Sequence, residues 1–353
     1  MKYLRIFSIA VALSLVATAA WALDSIKTVG GISVSGKIVQ LNWDKVDIEQ
    51  GVGSNKTPKE IPTNQIVTIF FDAGSPALKK ALNNARTQIA VDRHYAEGLK
   101  SLAKINPKDL DIDFLKQDYD FYTALANAKL ALSGSGKVQE AGSAMRDFVK
   151  NNPESYHFLE AAEVLGDLLV AVRSYPLAEE NYGKLAKAPW PEAKMKAGVL
   201  IGRTQLAQNK FPEAQKSFQS VLDNNSEGPQ VESQRMAASL GIASVLTSQK
   251  KADEAIKLLN DIIEKGNAED AELMARVYNA LGAAYRQLGD LNEAKFAYLH
   301  TDQLYSAVPD AHAEALANLA EIWDQLHKPE RAIEAKKTLD KLYKDSPWAK
   351  KGE

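Results

Sequence analysis

The sequence predicts a mainly α protein: an α-solenoid of about seven helical hairpins preceded by a small all-β, barrel-like module. Three observations carry that prediction. Strand-like sequence is confined to the stretch from Leu23 to Phe71; small and large apolar residues recur at fixed spacing after it; and turn residues punctuate that recurrence. The composition is that of ordinary globular material, 353 residues with 45% hydrophobic and 25% charged side chains. A chain of that length can bury a sizeable core without covalent staples, and it has no cysteine to supply them.

Residues 1–22 are expected to be a cleavable signal peptide. Lys2 and Arg5 form a basic start, Ile6 to Ala20 is apolar and uncharged, and Ala20-Trp21-Ala22 offers small residues around a cleavage point. The apolar run is short for a membrane span, no second one follows, and without cysteine there is no site for lipid attachment. A periplasmic or secreted location is therefore expected. Losing Lys2 and Arg5 moves the formal charge from −2 to −4, which disfavours nucleic acid and anionic membranes as partners.

The β module is assigned to residues 23–72. Ile26 to Val29, Ile32 to Leu41, Lys45 to Glu49 and Ile66 to Phe70 are β-branched runs separated by turn clusters such as Gly30-Gly31 and Asn42-Trp43-Asp44. Four or five short strands in so little chain are expected to close into a barrel that hides its edges. Asp72-Ala73-Gly74-Ser75-Pro76 marks the boundary, with Ser75 placed to cap a helix and Pro76 to open it.

Residues 76–349 then follow as helix pairs. Small residues at a first-helix crossing fall at Gly166, Gly202, Ala243, Gly282 and Ala320; matching alanines fall 12 residues later at Ala178, Ala214, Ala255, Ala294 and Ala332. Successive repeats are 36, 41, 39 and 38 residues apart, so the hairpin is fixed and its linker varies. A helix crossing tolerates no slip, whereas a surface connection accepts insertions. Leu169, Leu246, Tyr285 and Trp323 follow the small residue on the same face, and Tyr182, Phe218, Leu259 and Tyr298 answer from the second helix. Gln205 and Lys336 break the pattern; a polar last repeat accounts for Lys336, and nothing in the sequence accounts for Gln205. Pro176, Pro212 and Pro329 sit where second helices begin, and Asp290 with Glu293 makes a capping box. Pro189, Pro191, Pro229, Pro309 and Pro347 are expected to stop second helices. Two further hairpins are expected upstream, one pairing Leu78–Ala90 with Tyr95–Leu99 and one turning at Gly134-Ser135-Gly136.

The stretch from Tyr278 to Tyr298, YNALGAAYRQLGDLNEAKFAY, resembles a tetratricopeptide repeat, a two-helix unit of about 34 residues. The resemblance covers Ala77 to Lys344, and the β stretch resembles SH3-like or Sm-like barrels without a diagnostic motif. The tetratricopeptide resemblance implies a right-handed superhelix whose first helices line a concave face. Carried over position by position, that face takes Glu163, Asp167, Lys196, Arg203, Arg276, Asn279, Arg286, Asn318, Glu321 and Asp324. Its charge alternates along the groove, acidic, basic, near neutral, basic and acidic. Such a groove suits an extended peptide or a partner helix, with arginines gripping carboxylates; the same residues could instead pair between neighbouring repeats. The lysines and asparagines of the family's carboxylate-clamp variant are missing.

Fragments with a chemical look fail on spacing. Gly134-Ser135-Gly136-Lys137 lacks the leading glycine and the trailing Ser or Thr of a phosphate loop. Asp109, Asp111 and Asp113 lack the glycine and the distal glutamate of a calcium loop. No two of the five histidines lie three or four apart, and no serine sits in a Gly-x-Ser-x-Gly elbow. The expectation is a non-enzymatic scaffold without cofactor or metal, binding a protein or peptide partner. Two alternatives are a self-associating envelope component, with a contact near Trp323 and Trp348, and a β module that grips wall glycan or a peptide.

Overall fold

A computed structural model describes residues 23–51, 55–344 and 346–350; the expected leader, residues 1–22, lies outside the described residues. Five antiparallel strands come first: β1 (Asp24–Thr28), β2 (Ser33–Leu41), β3 (Lys45–Gln50), β4 (Thr57–Pro62) and β5 (Ile66–Phe70), in spatial order β4-β3-β2-β1-β5. The edge strands β4 and β5 are joined by one turn of 3-10 helix, Thr63–Gln65, and are not paired with each other. Period-two alternation buries Ile26, Val34, Val46, Ile48, Ile61 and Ile69 on one face. Gly36 in β2 passes so close to β3 that a Cβ would lie 2.4 Å from the Glu49 carbonyl oxygen. A side chain there would push the two strands apart.

The helices follow as seven hairpins among the described residues: α1 (Pro76–Arg86) with α2 (Tyr95–Leu102), α3 (Asp113–Leu132) with α4 (Val138–Asn151), α5 (Phe158–Ala171) with α6 (Tyr175–Leu185), and α7 (Pro191–Ala207) with α8 (Phe211–Leu222). After them come α9 (Pro229–Ser248) with α10 (Ala252–Lys265), α11 (Ala271–Leu288) with α12 (Leu291–Leu304), and α13 (Pro309–Gln325) with α14 (Pro329–Tyr343). Ser75 caps α1, its Oγ accepting from Leu78 N at 3.2 Å, and Asp290 caps α12 by accepting from Glu293 N at 3.1 Å. Pro191, Pro229 and Pro309, expected as stops, instead occupy the first turns of α7, α9 and α13, where no N–H is missed.

The recurrent small residues are notches for an aromatic knob. A Cβ on Gly166, Gly202 or Gly282 would lie 2.3, 2.6 and 2.6 Å from the rings of Tyr182, Phe218 and Tyr298 respectively. The ring fills the space that the missing side chain leaves, which fixes the crossing of these three hairpins. The hairpin turns share a second device, a residue in the left-handed region at Arg93, Gly134, Arg173, Asn209, Lys250, Gly289 and His327. Gln205 finds its reason at the crossing of α7 and α8, where its Oε1 accepts from Ser217 Oγ at 2.8 Å. Lys336 pairs with Asp324 at 3.3 Å.

Candidate functional site: a cleft between the sheet and the inner helices

The turn linking β4 to β5 is held in place by Thr63, whose N–H donates to Asp44 O at 2.9 Å and whose hydroxyl donates to Trp43 O at 2.8 Å. The next residue, Asn64, reaches out of the sheet and donates from Nδ2 to Glu192 Oε1 on α7, at 2.5 Å. That bond joins the sheet to the fourth hairpin. Between the two lies a cleft of about 630 Å³. Thr63, Asn64, Ile66 and Val67 form one wall, and the first helices α3, α5, α7, α9 and α11 form the other. The lining combines aromatic rings (Tyr95, Tyr122, Tyr156, Trp190) with amides (Asn64, Gln230, Gln234) and charges of both signs.

Beneath the cleft floor sits a buried charged network. Arg86 and Asp118, 1% and 0% exposed, pair at 2.6 Å. Asp118 also accepts from Tyr156 Oη at 2.7 Å and meets His157 Nε2 at 3.1 Å. Burial pushes the Asp118 carboxyl up, but the charge of Arg86 and the hydrogen bonds of His157 and Tyr156 outweigh it and leave the group below its ordinary value. His157 is stacked on Phe121 at 3.8 Å, and the Arg86 guanidinium lies 5.1 Å from the Phe71 ring of the β module. This network locks the sheet, α1, α3 and α5 together.

The ten residues assigned to the concave face divide in two. Glu163 and Lys196 line the cleft and pair with each other at 2.6 Å. Asp167 accepts from Tyr182 Oη at 2.8 Å, and burial followed by the neighbouring Glu163 raises its carboxyl above the usual range. Arg203 is half-buried; burial, then the charge of Arg276, pushes its guanidinium down to about 10. Arg276 faces Glu272 and Asp310, each at 3.6 Å.

The other five are engaged within the last two repeats. Asn279 is 2% exposed and donates to Ala311 O at 2.8 Å and to Glu314 Oε2 at 3.1 Å, so it bridges α11 and α13. Arg286 bonds to Asn318 Oδ1 and to Glu321 Oε2, the latter at 2.8 Å, and Asn318 donates onward to Glu314 O at 2.8 Å. Asp324 holds Lys336. Trp323 packs into the α12–α14 core with Lys295 and Arg331 over its ring, and Trp348 packs against the α13–α14 cluster.

Sequence reasoning missed the β-module wall and the buried network. A signal for the network was present: Arg86 continues the stripe of Leu78 and Leu82 at helical spacing, and Asp118 lies on the stripe of Leu115 and Tyr122. Gly134–Lys137 is the turn between α3 and α4. Among the described residues no cluster of three or more His, Asp or Glu is placed to hold a metal, and no helix is long and apolar enough to cross a membrane.

Comparison with known proteins agrees with this geometry. A family model described as tetratricopeptide repeat matches residues 234–307. No curated protein matches the chain. Among solved structures, a tetratricopeptide repeat protein from Parabacteroides merdae aligns with a TM-score of 0.53 at 16% identity, covering 78% of this chain and 98% of its own. A Rap protein complexed with Competence and Sporulation Factor aligns with a TM-score of 0.51 at 15% identity, covering 77% and 78%. The helical part of the chain has the fold of a tetratricopeptide-repeat solenoid.

Proposed function

We propose that the protein is an exported, non-enzymatic scaffold that holds an extended peptide or protein segment in the cleft between the β module and the inner helices. The observation that carries this reading is the cleft itself, walled by backbone-anchored residues of the sheet and by five first helices. A groove of that section accepts an extended chain, and its aromatic and amide lining suits peptide side chains and backbone. A solenoid of the same fold, the Rap protein, is solved with a bound factor. The β module contributes a wall of the site, so the reading that gives binding to the module and the one that gives it to the helices become one.

The test is site-directed photo-crosslinking in the native cell, with the crosslinker replacing Gln234 in the cleft and, as control, the exposed Lys257 on α10. A foreign protein captured at Gln234 and not at Lys257 is the expected result. Adducts at Gln234 with the chain itself alone would replace the scaffold by a self-associating envelope component. Deleting the module is a poor test, because Ile26, Ile69 and Phe71 belong to the core that supports α1 to α6. Export is checked by fractionation and by the N-terminal sequence of the mature chain, expected to begin at Leu23.

A further inference from the structure

We propose that the third hairpin carries a second docking groove, apart from the cleft, that takes an amphipathic partner helix with acidic residues beside its apolar stripe. The groove, about 460 Å³, is lined by α4, α5 and α6, and none of its residues lines the cleft. Val149 of α4 with Phe158, Leu165 and Leu169 of α5 makes its floor, and Leu177 of α6 stands at its edge. Leu177 is 47% exposed, so the groove opens to solvent. That leucine is also out of pattern. It lies just before the recurrent Ala178, and in the other four hairpins with such an alanine the same position holds Glu213, Glu254, Glu293 and Arg331. A charge suits a solvated helix face, whereas a leucine extends the apolar surface beside it.

The polar chemistry of the groove decides what lies in it. Asn181 supplies its amide, and both ends of that amide are used: Nδ2 donates to Leu177 O at 2.8 Å, and Oδ1 accepts from Lys184 Nζ at 2.7 Å. An extended segment would find no spare amide to meet its peptide groups, which are costly to bury unpaired. A helix satisfies its own backbone and needs only an apolar stripe. The floor has the length for one. Phe158 and Leu169 lie eleven residues apart on α5, about 16 Å, which is three turns of a docked helix. An acyl chain fits less well, because it has no polar side to turn toward the open mouth. The rim then sets the charge of the partner. Arg146 and Lys150, one turn apart on α4, are exposed and make no ion pair among the described residues. Glu180 and Lys184 stand on the α6 side. An acidic flank laid along α4 would pair with Arg146 and Lys150 and keep clear of Glu180.

The experiment displays a library of helical peptides about five turns long, randomised along one stripe and both its flanks, and selects it against the full chain. Peptides that also bind Leu177→Glu are removed; that substitution keeps the fold, because glutamate already occupies the same position at Glu213, Glu254 and Glu293. The expected survivors carry Leu, Ile, Phe or Met on the stripe and Asp or Glu beside it. Their affinity should fall at least about tenfold for Leu177→Glu, the scale of losing one apolar side chain from a contact. Selection against Arg146→Glu combined with Lys150→Glu, at unchanged helicity, should turn the flank preference to Lys and Arg. No survivors, or survivors whose flank charge ignores the double substitution, overturn the proposal. Two further results would overturn it by naming another occupant. A fluorescent fatty acid that binds the chain but not Leu177→Glu, while no helix survives selection, makes the ligand an acyl chain. Dimerisation in sedimentation that Leu177→Glu abolishes, again without surviving helices, makes it a second copy.

Discussion

From Ile26 to Tyr182 one hydrophobic cluster runs unbroken through the sheet and the first three hairpins, whereas from Met195 onward the core divides into separate clusters at successive hairpin joints. The first half is bonded like a globular domain, with contacts far apart in sequence and a buried ion network at its centre. The second half is bonded like a stack, each hairpin resting on its neighbours. The candidate site lies on the first kind of structure and opens toward the second. The polar residues differ in the same way: Arg86 and Asp118 join four elements, while Asn279, Arg286 and Asn318 each join adjacent repeats.

The first half is most sensitive at Asp118. Asp118→Ala leaves Arg86 charged and unpaired in the core, a loss of about 3–5 kcal/mol. Chemical denaturation should show it, with hydrogen exchange rising across β1 to α6 together. The same carboxylate sets an acid limit. Its value in the folded state lies below the ordinary carboxylate range, so its contribution is complete above that range and is lost as pH falls through the folded value. Asp118→Asn should therefore flatten the acid limb of stability against pH and leave the neutral region without slope.

A smaller and local effect is expected at Gly282. The new Cβ of Gly282→Ala would meet the Tyr298 ring at 2.6 Å, costing about 1–3 kcal/mol of overpacking. Exchange should rise in α11 to α14 while the first half keeps its protection; a loss of protection back to β1 would show the two halves to be one cooperative unit. The smallest effect is expected at the turns. Gly289→Ala, at φ 80°, should lower the melting midpoint by the equivalent of about 1 kcal/mol. Lys250→Gly, at φ 64°, should raise it by about half as much.

Most of the solenoid was legible because its signals are local: a glycine or alanine and, one turn of chain later, the residue that fills it. The turns were less so. Their left-handed residues are Arg93, Arg173, Asn209, Lys250 and His327, more often than the glycines Gly134 and Gly289, so residue type does not announce them. Strand β4 escaped because Pro58, Lys59 and Glu60 carry no apolar alternation; it is an exposed edge strand held by pairing to β3. At the site, the tetratricopeptide resemblance assigned Glu163, Lys196, Arg203, Arg276, Asn279 and Asn318 to the inner face alike; Glu163 and Lys196 line the cleft, and the resemblance could not separate them from Asn279 and Asn318. Those two lie in the joint between α11 and α13, bonded to residues more than thirty positions away. The Asn64–Glu192 contact spans 128 residues and has no sequence signature.

That contact has a mechanical consequence. With a common core beneath the sheet and the first three hairpins, and Asn64 bonded to α7, those three hairpins act as the dead coils of a spring, wound and fixed. Elastic compliance is left to the coils from α7 onward, where each turn is held by its neighbours. A load applied near α14 would therefore be taken up as bending beyond the clamp, opening or narrowing the mouth at α9 and α11 while the fixed wall stays still.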